Sequence, residues 1–306
     1  MTSAPPLIHD PVLLDEALGF LNPNPSGIYC DVTVGMGGHA RALLQRCAPG
    51  GRLVGIDRDQ DALELARENL APFGDRATLV HAPFSRLRAV LGEANALPLD
   101  GCIADLGVSS FQLDRAERGF SFRRTGPLDM RMDQTTGEDA ASFLQRVEEE
   151  ELEAILRDLG EERFSRRIAR AVVETRGRED LSTTGALAAL VARVIPYRER
   201  GKDPATRVFQ ALRIAINDEL GQLEQFLQDA PACLKPGARL VVISFHSLED
   251  RMVKRRFRAL GGKQAEPGQP HLRILTKHVV TAGEVELARN PRSRSAKLRA
   301  VERLPS

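Results

Sequence analysis

A glycine-rich turn between a short apolar run and a helical segment constrains this chain more than any other feature. The apolar run begins at Ile28, and the turn places Gly35, Gly37 and Gly38 within four residues. Glycine adopts backbone angles closed to other residues and lets a ligand approach the main chain. Residues 40–47 are expected to form a helix. A strand, a glycine turn and a helix N-terminus together predict a site for a nucleotide-like ligand.

A second predicted strand, 52–57, ends in Asp57. In such folds the acid at the tip of the second strand accepts hydrogen bonds from ribose hydroxyls. The spacing Gly35-x-Gly37-x-x-Ala40, with Asp57 about 20 residues further on, also fits the fingerprint of NAD-binding proteins. The pattern indicates an adenosine-type cofactor and leaves its identity open. A tight glycine turn without a ligand is the alternative.

Predicted strands and helices alternate along the first third of the chain. Strands are expected at 77–81 and 99–105, and helices at 59–70 and 86–92. This alternation is typical of a parallel sheet covered by helices on both faces. Ligands bind such sheets at the carboxyl ends of the strands, where the glycine turn, Asp57, Phe84 and Asp105 are expected to lie.

The pattern changes after Leu106. Residues 107–133 show no clear period, and loops of that length are often functional. Helices are then expected at 138–159, 164–176, 182–195 and from 203 toward 228, and strands at 238–245, 273–280 and 297–302. We therefore expect a discontinuous sheet domain, residues 1–112 and 211–306, with a helical insertion at 113–210.

Composition restricts the class of protein. The chain has 306 residues, 42% of them hydrophobic and 28% charged, which is typical of soluble proteins. No apolar run reaches the roughly 18 residues needed to cross a membrane, and no secretory signal is visible. Four cysteines without paired spacing predict reduced thiols, and no metal site is predicted. We expect a cytoplasmic protein that has no membrane partner.

Charge is segregated along the chain, although the formal net charge is only +1. Residues 138–162 carry ten acids and two bases, whereas residues 251–306 carry fourteen Lys and Arg against four Asp and Glu. A basic block of this kind suits a phosphate backbone, and a solvated surface is the alternative.

Four features favour methyl transfer over hydride transfer. Asp31 precedes the glycine turn, where cofactor-binding methyltransferases often carry an acid. Phe84 ends the third strand and can stack on an adenine, and Asp105 ends the fourth, where amino-methyltransferases place an acid facing the target amine. The basic C-terminal half suits a macromolecular substrate. Each residue also has a structural alternative: Asp31 can cap the glycine turn, Phe84 can pack in the core, and Asp105 can accept hydrogen bonds from backbone amides.

The cysteines restrict the type of methyl transfer. Methylation of a pyrimidine C5 requires a cysteine nucleophile, but none of the four follows a proline in a loop, and Cys102 lies inside a predicted strand. Transfer to an exocyclic nitrogen needs no covalent step. Nitrogen N4 of cytosine is a poor nucleophile, so it must be positioned, and an acceptor such as Asp105 can bond its N–H. The base must be unpaired or flipped out.

Seven longer motifs resemble those of the RsmH family of bacterial methyltransferases, also called MraW. They occupy residues 31–39, 55–59, 105–114, 118–123, 126–133, 243–251 and 290–299. The motifs follow one another in order from residue 31 to residue 299, so the resemblance covers nearly the whole chain. It implies an α/β fold, a Rossmann-like class I methyltransferase parallel sheet with an inserted all-helical domain. It also implies transfer of a methyl group from S-adenosyl-L-methionine to N4 of a cytosine in the decoding region of 16S rRNA in the small ribosomal subunit.

The resemblance further implies a set of residues that contact S-adenosylmethionine. These are Gly37, Gly38, His39, Asp57, Phe84, Asp105 and Gln112. We predict catalytic roles for Asp105, Asp129 and His246. The residues predicted to contact rRNA phosphates are Arg292, Arg294, Lys297 and Arg299.

Some alternatives stay open at this point. Asp129 lies in the loop 126–133, which we expect to close over the cytosine or else to clamp the two domains. His246 follows the fifth strand, and a capping or core role is its alternative. An NAD-dependent oxidoreductase and a non-catalytic RNA-binding protein are the competing functions. The oligomeric state is open, with a homodimer as one alternative.

Overall fold

The computed structural model describes residues 11–195, 203–261 and 268–305. The chain divides into two compact units, here called the sheet unit (Met1–Gly107 and Leu220–Ser306) and the helical unit (Val108–Glu219). The sequence predicts these boundaries after residues 112 and 210, whereas the units meet after residues 107 and 219.

Seven strands form one sheet among the described residues, all within the sheet unit. They are β1 Ile28–Asp31, β2 Arg52–Asp57, β3 Ala77–His81, β4 Leu99–Asp105, β5 Leu234–Ser244, β6 Leu272–Ile274 and β7 Lys297–Arg303. The order is β3-β2-β1-β4-β5-β7-β6. Strands β1 to β5 pair in parallel, whereas β7 runs antiparallel to β5 and β6. The sheet changes its winding direction between the neighbours β1 and β4, which is where open α/β sheets bind ligands.

Thirteen α-helices lie in the described part of the chain. They are α1 Leu14–Leu21, α2 Gly38–Arg46, α3 Gln60–Leu70, α4 Leu87–Glu93, α5 Ser110–Asp114, α6 Ala140–Arg146, α7 Glu149–Asp158, α8 Ser165–Thr175, α9 Thr184–Val194, α10 Thr206–Asn217, α11 Glu219–Cys233, α12 Ser247–Gly261 and α13 Glu284–Arg289. None of them is long and apolar enough to span a bilayer.

Helices cover both faces of the sheet because side chains alternate along each strand. On one face, Tyr29 of β1 packs in a cluster with α1, α2 and α3. On the other face, Cys30 and Val32 pack in a cluster with α4, α11 and α12. The expected α/β class with a mostly parallel sheet is confirmed, and so are the bounds predicted for β2, β3 and β4.

The helical unit has its own apolar core, built by α6 to α10 and the segment 120–132. Two of its helices begin at side-chain caps: Asp139 accepts from the N–H of Ser142, and Thr183 accepts from the N–H of Ala186. Each cap satisfies an N–H group that the first helical turn leaves without a partner.

The single helix predicted for 138–159 is wrong, because the structure divides it into α6 and α7. Val147 turns out of the helix with ψ 137° and is fully buried. Arg176 donates to the carbonyl oxygens of Leu144 and Val147. Carbonyls at the end of α6 therefore bond the side chain of Arg176, the residue directly after α8, in place of a continuing helix.

The single helix predicted from Asp203 toward Gln228 is also wrong. Helix α10 ends at Asn217, and Asp218 adopts a left-handed conformation with φ 48°. The Asn217 side chain donates to Met130 O and accepts from the N–H of Met132. Asn217 thus ties the end of α10 to the segment 126–133.

Candidate active site at the carboxyl ends of the strands

The glycine turn links β1 to α2 and requires glycine for two different reasons. Gly37 stands at the N-cap of α2 with φ +88°, a conformation that favours glycine. A Cβ on Gly38 would lie 2.7 Å from the side chain of Pro11. Among the described residues, no side chain caps α2. The N–H groups of its first turn therefore suit an anionic group of a ligand.

Asp57, at the end of β2, fixes this turn. Its Oδ2 accepts from the N–H of Gly35 at 2.7 Å, and its Oδ1 accepts from the N–H of Asp59 at 2.9 Å. Burial raises the pKa of Asp57 to about 6, although these hydrogen bonds oppose the rise. Each carboxylate oxygen can accept more than one hydrogen bond, so Asp57 can bond the turn and a ligand hydroxyl together.

Asp31, the last residue of β1, is a buried carboxyl group beside the turn. Only 1% of it is exposed, and its Oδ1 accepts from the N–H of Thr33. Burial raises the pKa of Asp31 to about 7, and the charge of Asp57 adds to the rise. The structure therefore brings two acids with raised pKa values to neighbouring strand ends.

Asp105, at the end of β4, differs from Asp57 because one of its oxygens is unbonded. Its Oδ1 is buried and has no hydrogen-bond partner within the described residues. Its Oδ2 lies 3.7 Å from Nδ1 of His39. The backbone N–H of Asp105 donates to Oγ1 of Thr33 at 2.7 Å, which fixes the end of β4 to the end of β1. Burial raises the pKa of Asp105 well above its ordinary value.

His39, in the first turn of α2, joins the turn to Asp105. Its Nε2 lies 3.0 Å from the carbonyl oxygen of Val12. Because a carbonyl only accepts, Nε2 carries the proton and Nδ1 presents a lone pair towards Asp105. Burial lowers the pKa of His39 to about 4, so the ring is neutral near pH 7.

Phe84 follows β3 and is partly buried. Its ring packs edge-on against Phe226 of α11, with centroids 5.7 Å apart. Part of the ring remains accessible, so the side chain combines core packing with an accessible surface for stacking. Both interpretations made from the sequence are compatible with this geometry.

His246 caps α12. The N–H of Glu249 donates to its Nδ1 at 3.4 Å, and Oε2 of Glu249 accepts from the N–H groups of Phe245 and His246. Nε2 of His246 lies 3.2 Å from Oε1 of Glu249. This is a reciprocal arrangement of the capping-box type, with histidine in the place of serine. The capping role that the sequence left open is therefore present.

Gln112 and Asp129, two further predicted site residues, belong to the helical unit. Gln112 forms a capping box with Ser109 at the start of α5. Asp129 accepts hydrogen bonds from Nε and Nη2 of Arg131 and from Gln134. Burial alone raises the pKa of Asp129, but these hydrogen bonds outweigh it, and the pKa lies below its ordinary value.

The segment around Asp129 is held by several backbone contacts. Arg118 is 1% exposed and donates to the carbonyl oxygens of Arg131 and Met132. Its own carbonyl oxygen accepts from the N–H of Met130. Met130 has φ +63°, which is strained for a residue with a side chain. The segment is therefore fixed in the helical unit by buried hydrogen bonds.

The four cationic residues predicted to contact RNA differ in their surroundings. Arg294 is exposed, and Arg292 and Lys297 are partly exposed. Arg299 forms a two-pronged ion pair with Asp250 of α12, with N–O distances of 2.7 and 3.1 Å. Its charge is thus already balanced, and it fixes α12 to β7.

Two carboxylates near the site were missed in the sequence. Glu249 lies three residues after His246, a spacing that could have indicated a capping box. Glu286 of α13 accepts from the N–H of Leu13 at 2.8 Å. No local pattern could have found this contact, because the two residues are 273 positions apart.

These features suit S-adenosylmethionine. The uncapped start of α2 suits its carboxylate, Asp57 suits its ribose hydroxyls, and the unbonded oxygen of Asp105 suits a donor group. The fold and the site define an S-adenosylmethionine-dependent methyltransferase with a Rossmann-like sheet.

Comparison with known proteins gives the family. The chain belongs to the MraW methylase family, whose model matches residues 6–304. It is 50% identical to the ribosomal RNA small subunit methyltransferase H of Pelobacter propionicus, over 97% of this chain and 98% of that one. The protein of the same name from Halorhodospira halophila is 52% identical, over 97% and 94%. A putative rRNA methylase from Clostridium thermocellum aligns with a TM-score of 0.46 at 12% identity, over 95% of each chain.

Proposed function

We propose that the protein methylates the exocyclic N4 of a cytosine in the decoding region of 16S rRNA, within the small ribosomal subunit. The observation that carries this proposal is the buried, unbonded Oδ1 of Asp105 at the end of β4. An oxygen of this kind needs a donor, and the N–H of an exocyclic amine supplies one. The names of the relatives, which refer to small-subunit rRNA, support the class of substrate.

S-adenosylmethionine supplies a methyl group bound to a sulfonium sulfur, which an amine nitrogen can accept directly. We assign its binding to the residues implied by the family resemblance. These are Gly37, Gly38, His39, Asp57, Phe84, Asp105 and Gln112. In this assignment the start of α2 binds the carboxylate, Asp57 the ribose and Phe84 the adenine.

Asp105 orients the amine by accepting one of its N–H bonds, which directs the nitrogen lone pair towards the methyl group. His246 and Asp129 complete the predicted catalytic set. His246 orients the start of α12 through its contact with Glu249. Asp129 fixes the backbone of the loop 126–133 through Arg131.

RNA binding is assigned to the basic C-terminal segment. Arg292, Arg294 and Lys297 are assigned to phosphates, and Arg299 supports them by holding β7 against α12. We propose that the helical unit recognises the rRNA and that the enzyme acts in the cytoplasm without a membrane partner.

The test is methyl transfer from labelled S-adenosylmethionine to small ribosomal subunits from cells that lack the protein, followed by nucleoside analysis. We expect label in N4-methylated cytidine. Label in another nucleoside, or none despite normal cofactor binding, would contradict the assigned target. Loss of RNA binding without loss of cofactor binding in Arg294→Glu would support the assigned RNA surface.

A further inference from the structure

Methyl transfer to an amine leaves the nitrogen with a surplus proton, and the groups around Asp105 determine where this proton can go. Oδ1 of Asp105 is buried without a partner among the described residues. Oδ2 lies 3.7 Å from Nδ1 of His39. The two oxygens therefore have different surroundings: one is open to a donor, and the other faces a ring nitrogen.

The tautomer of His39 is fixed at Nε2, the ring nitrogen that does not face Asp105. The Val12 carbonyl occupies Nε2 at 3.0 Å, so the lone pair of the neutral ring lies on Nδ1. Val12 is in turn fixed through Leu13, whose N–H donates to Oε1 of Glu286 at 2.8 Å. Leu13 is fully buried and has φ +51°, a conformation that persists only where surrounding contacts impose it.

Four ionisable groups influence Asp105, each from a different element. His39 of α2 faces Oδ2 directly. Asp31 of β1, Glu249 of α12 and Glu286 of α13 act through their charge. After burial, these three acids raise the pKa of Asp105 further, and no cation is among the groups that shift it. The surroundings therefore favour the neutral carboxylic acid.

We propose that His39 is a positioning residue that holds the carboxyl proton of Asp105 on Oδ2 and accepts it while Oδ1 receives the proton released by the cytosine amine. This inference rests on the proposed function. One amine N–H bond breaks and an O–H bond forms at Oδ1, while the O–H bond at Oδ2 breaks and an N–H bond forms at Nδ1. The carboxyl group stays neutral, and His39 ends as an imidazolium that returns its proton to water.

The transfer of a proton from Asp105 to His39 has two physical conditions: a hydrogen bond between Oδ2 and Nδ1, and an acceptor that is basic enough. A contact of 3.7 Å must shorten to about 2.8 Å for a hydrogen bond, and catalytic hydrogen bonds are often longer before substrate binds. An exocyclic amine that carries both a new methyl group and a surplus proton is a strong acid. A histidine with a lowered pKa is therefore a sufficient acceptor.

The test compares wild type with His39→Gln and His39→Ala on small ribosomal subunits in single-turnover methyl transfer. Neither variant has a basic nitrogen at the position of Nδ1, so we expect the rate to fall about 100-fold, the scale of general acid–base catalysis. The rate is measured at saturating S-adenosylmethionine, so that a weakened contact between His39 and the cofactor does not limit it, since binding and chemistry are separable. His278→Gln, an exposed histidine of the same unit, is the matched control and should retain the wild-type rate.

Imidazole provides a readout that a purely structural role would not move. His39 is only 6% exposed, so His39→Ala leaves a cavity the size of the ring. Added imidazole should restore the rate of His39→Ala at least about tenfold, in proportion to its unprotonated fraction, and should not affect His278→Gln. A rate that is lost at saturating S-adenosylmethionine and that imidazole does not restore would overturn the relay.

The tautomer of the wild-type protein can be measured without substrate. The chain has six histidines, so a nitrogen-15 side-chain spectrum can be assigned by comparison with His39→Asn. We expect His39 to stay neutral with its proton on Nε2 from pH 8 to pH 5. A proton on Nδ1 would overturn the relay, whatever the rates of the substituted proteins.

The two proposals fail in distinguishable ways. If wild type gives no N4-methylated cytidine, both fall. If wild type gives it and His39→Gln keeps a rate within about threefold of wild type, only the relay falls.

Discussion

Asp105 and Asp129 have the same side chain, and the sequence predicts a catalytic role for both. The surroundings of their carboxyl groups differ. Asp129 accepts from two nitrogen atoms of Arg131 and from Gln134, and its pKa is lowered. Asp105 has one buried oxygen without a partner within the described ranges, and its pKa is raised. A carboxylate whose oxygens all accept hydrogen bonds within the protein stabilises the fold. A carboxylate with a buried oxygen that accepts none can accept a hydrogen bond from a ligand.

The largest effect is expected for Asp105→Asn. The amide cannot pass on a proton, so the single-turnover rate of methyl transfer should fall about 100- to 10,000-fold. Asp129→Asn, the matched comparison, should lower the rate much less, because Asp129 acts only by fixing the loop 126–133 through Arg131. If Asp129→Asn lost as much activity as Asp105→Asn while remaining folded, the distinction between the two acids would be wrong.

Asp31 extends the comparison to stability. Its pKa is about 7 in the folded protein and about 4 in the unfolded chain, so its contribution to stability is present below about pH 4 and is lost as the pH rises through 7. Asp31→Asn should therefore raise the free energy of unfolding at pH 8 by about 2–4 kcal/mol. Urea unfolding at a series of pH values measures this difference, which should shrink towards pH 4. A less stable variant at pH 8 would mean that the bond to Thr33 outweighs burial.

Asp129 should show the opposite dependence on pH. Its pKa is lowered in the folded protein, so its contribution is present above about pH 4 and is lost as the pH falls through the folded-state pKa. Asp129→Asn should lower the free energy of unfolding at pH 7 by about 1–2 kcal/mol, since the ion pair is only partly buried. The difference from wild type should vanish in acid. A constant difference at every pH would assign the loss to packing.

Arg294 and Arg299 allow a similar comparison between two cations, because Arg294 is exposed and Arg299 is paired with Asp250. We expect the smallest effects for substitutions at these two residues. Arg294→Glu should weaken RNA binding about tenfold and reduce its dependence on salt, without changing cofactor binding. Arg299→Gln should mainly lower stability, because it leaves Asp250 without its partner. Binding titrations at two salt concentrations separate these outcomes. Equal losses of RNA and cofactor binding in Arg294→Glu would contradict the assignment.

Local patterns predicted the sheet well because they act over a few residues. The bounds of β2, β3 and β4 follow from apolar runs that end in a charged or polar residue, and the helix predicted at 59–70 is α3, with Asp59 as its N-cap. The breaks after α6 and α10 depend on Arg176 and on the segment bonded by Asn217, which are distant in sequence. Periodicity carries no information about such partners, so both helices were predicted too long.

The candidate site shows the same limit. The positions of Asp57 and Asp105 at strand ends could be predicted, because parallel strands place their carboxyl ends at one edge. The difference in hydrogen bonding between the two carboxyl groups could not be predicted, because it depends on which amides and side chains lie near each oxygen. The assignment of site residues to cofactor, catalysis and RNA stays a prediction.

The hydrogen bond between Leu13 and Glu286 has a consequence for the order of synthesis. Glu286 is made 273 positions after Leu13. The glycine turn and β1 to β4 are all made before Glu286, but the segment that fixes His39 cannot be held until the growing chain includes it. A product truncated before Glu286 would therefore keep every glycine of the turn and lack the fixed histidine.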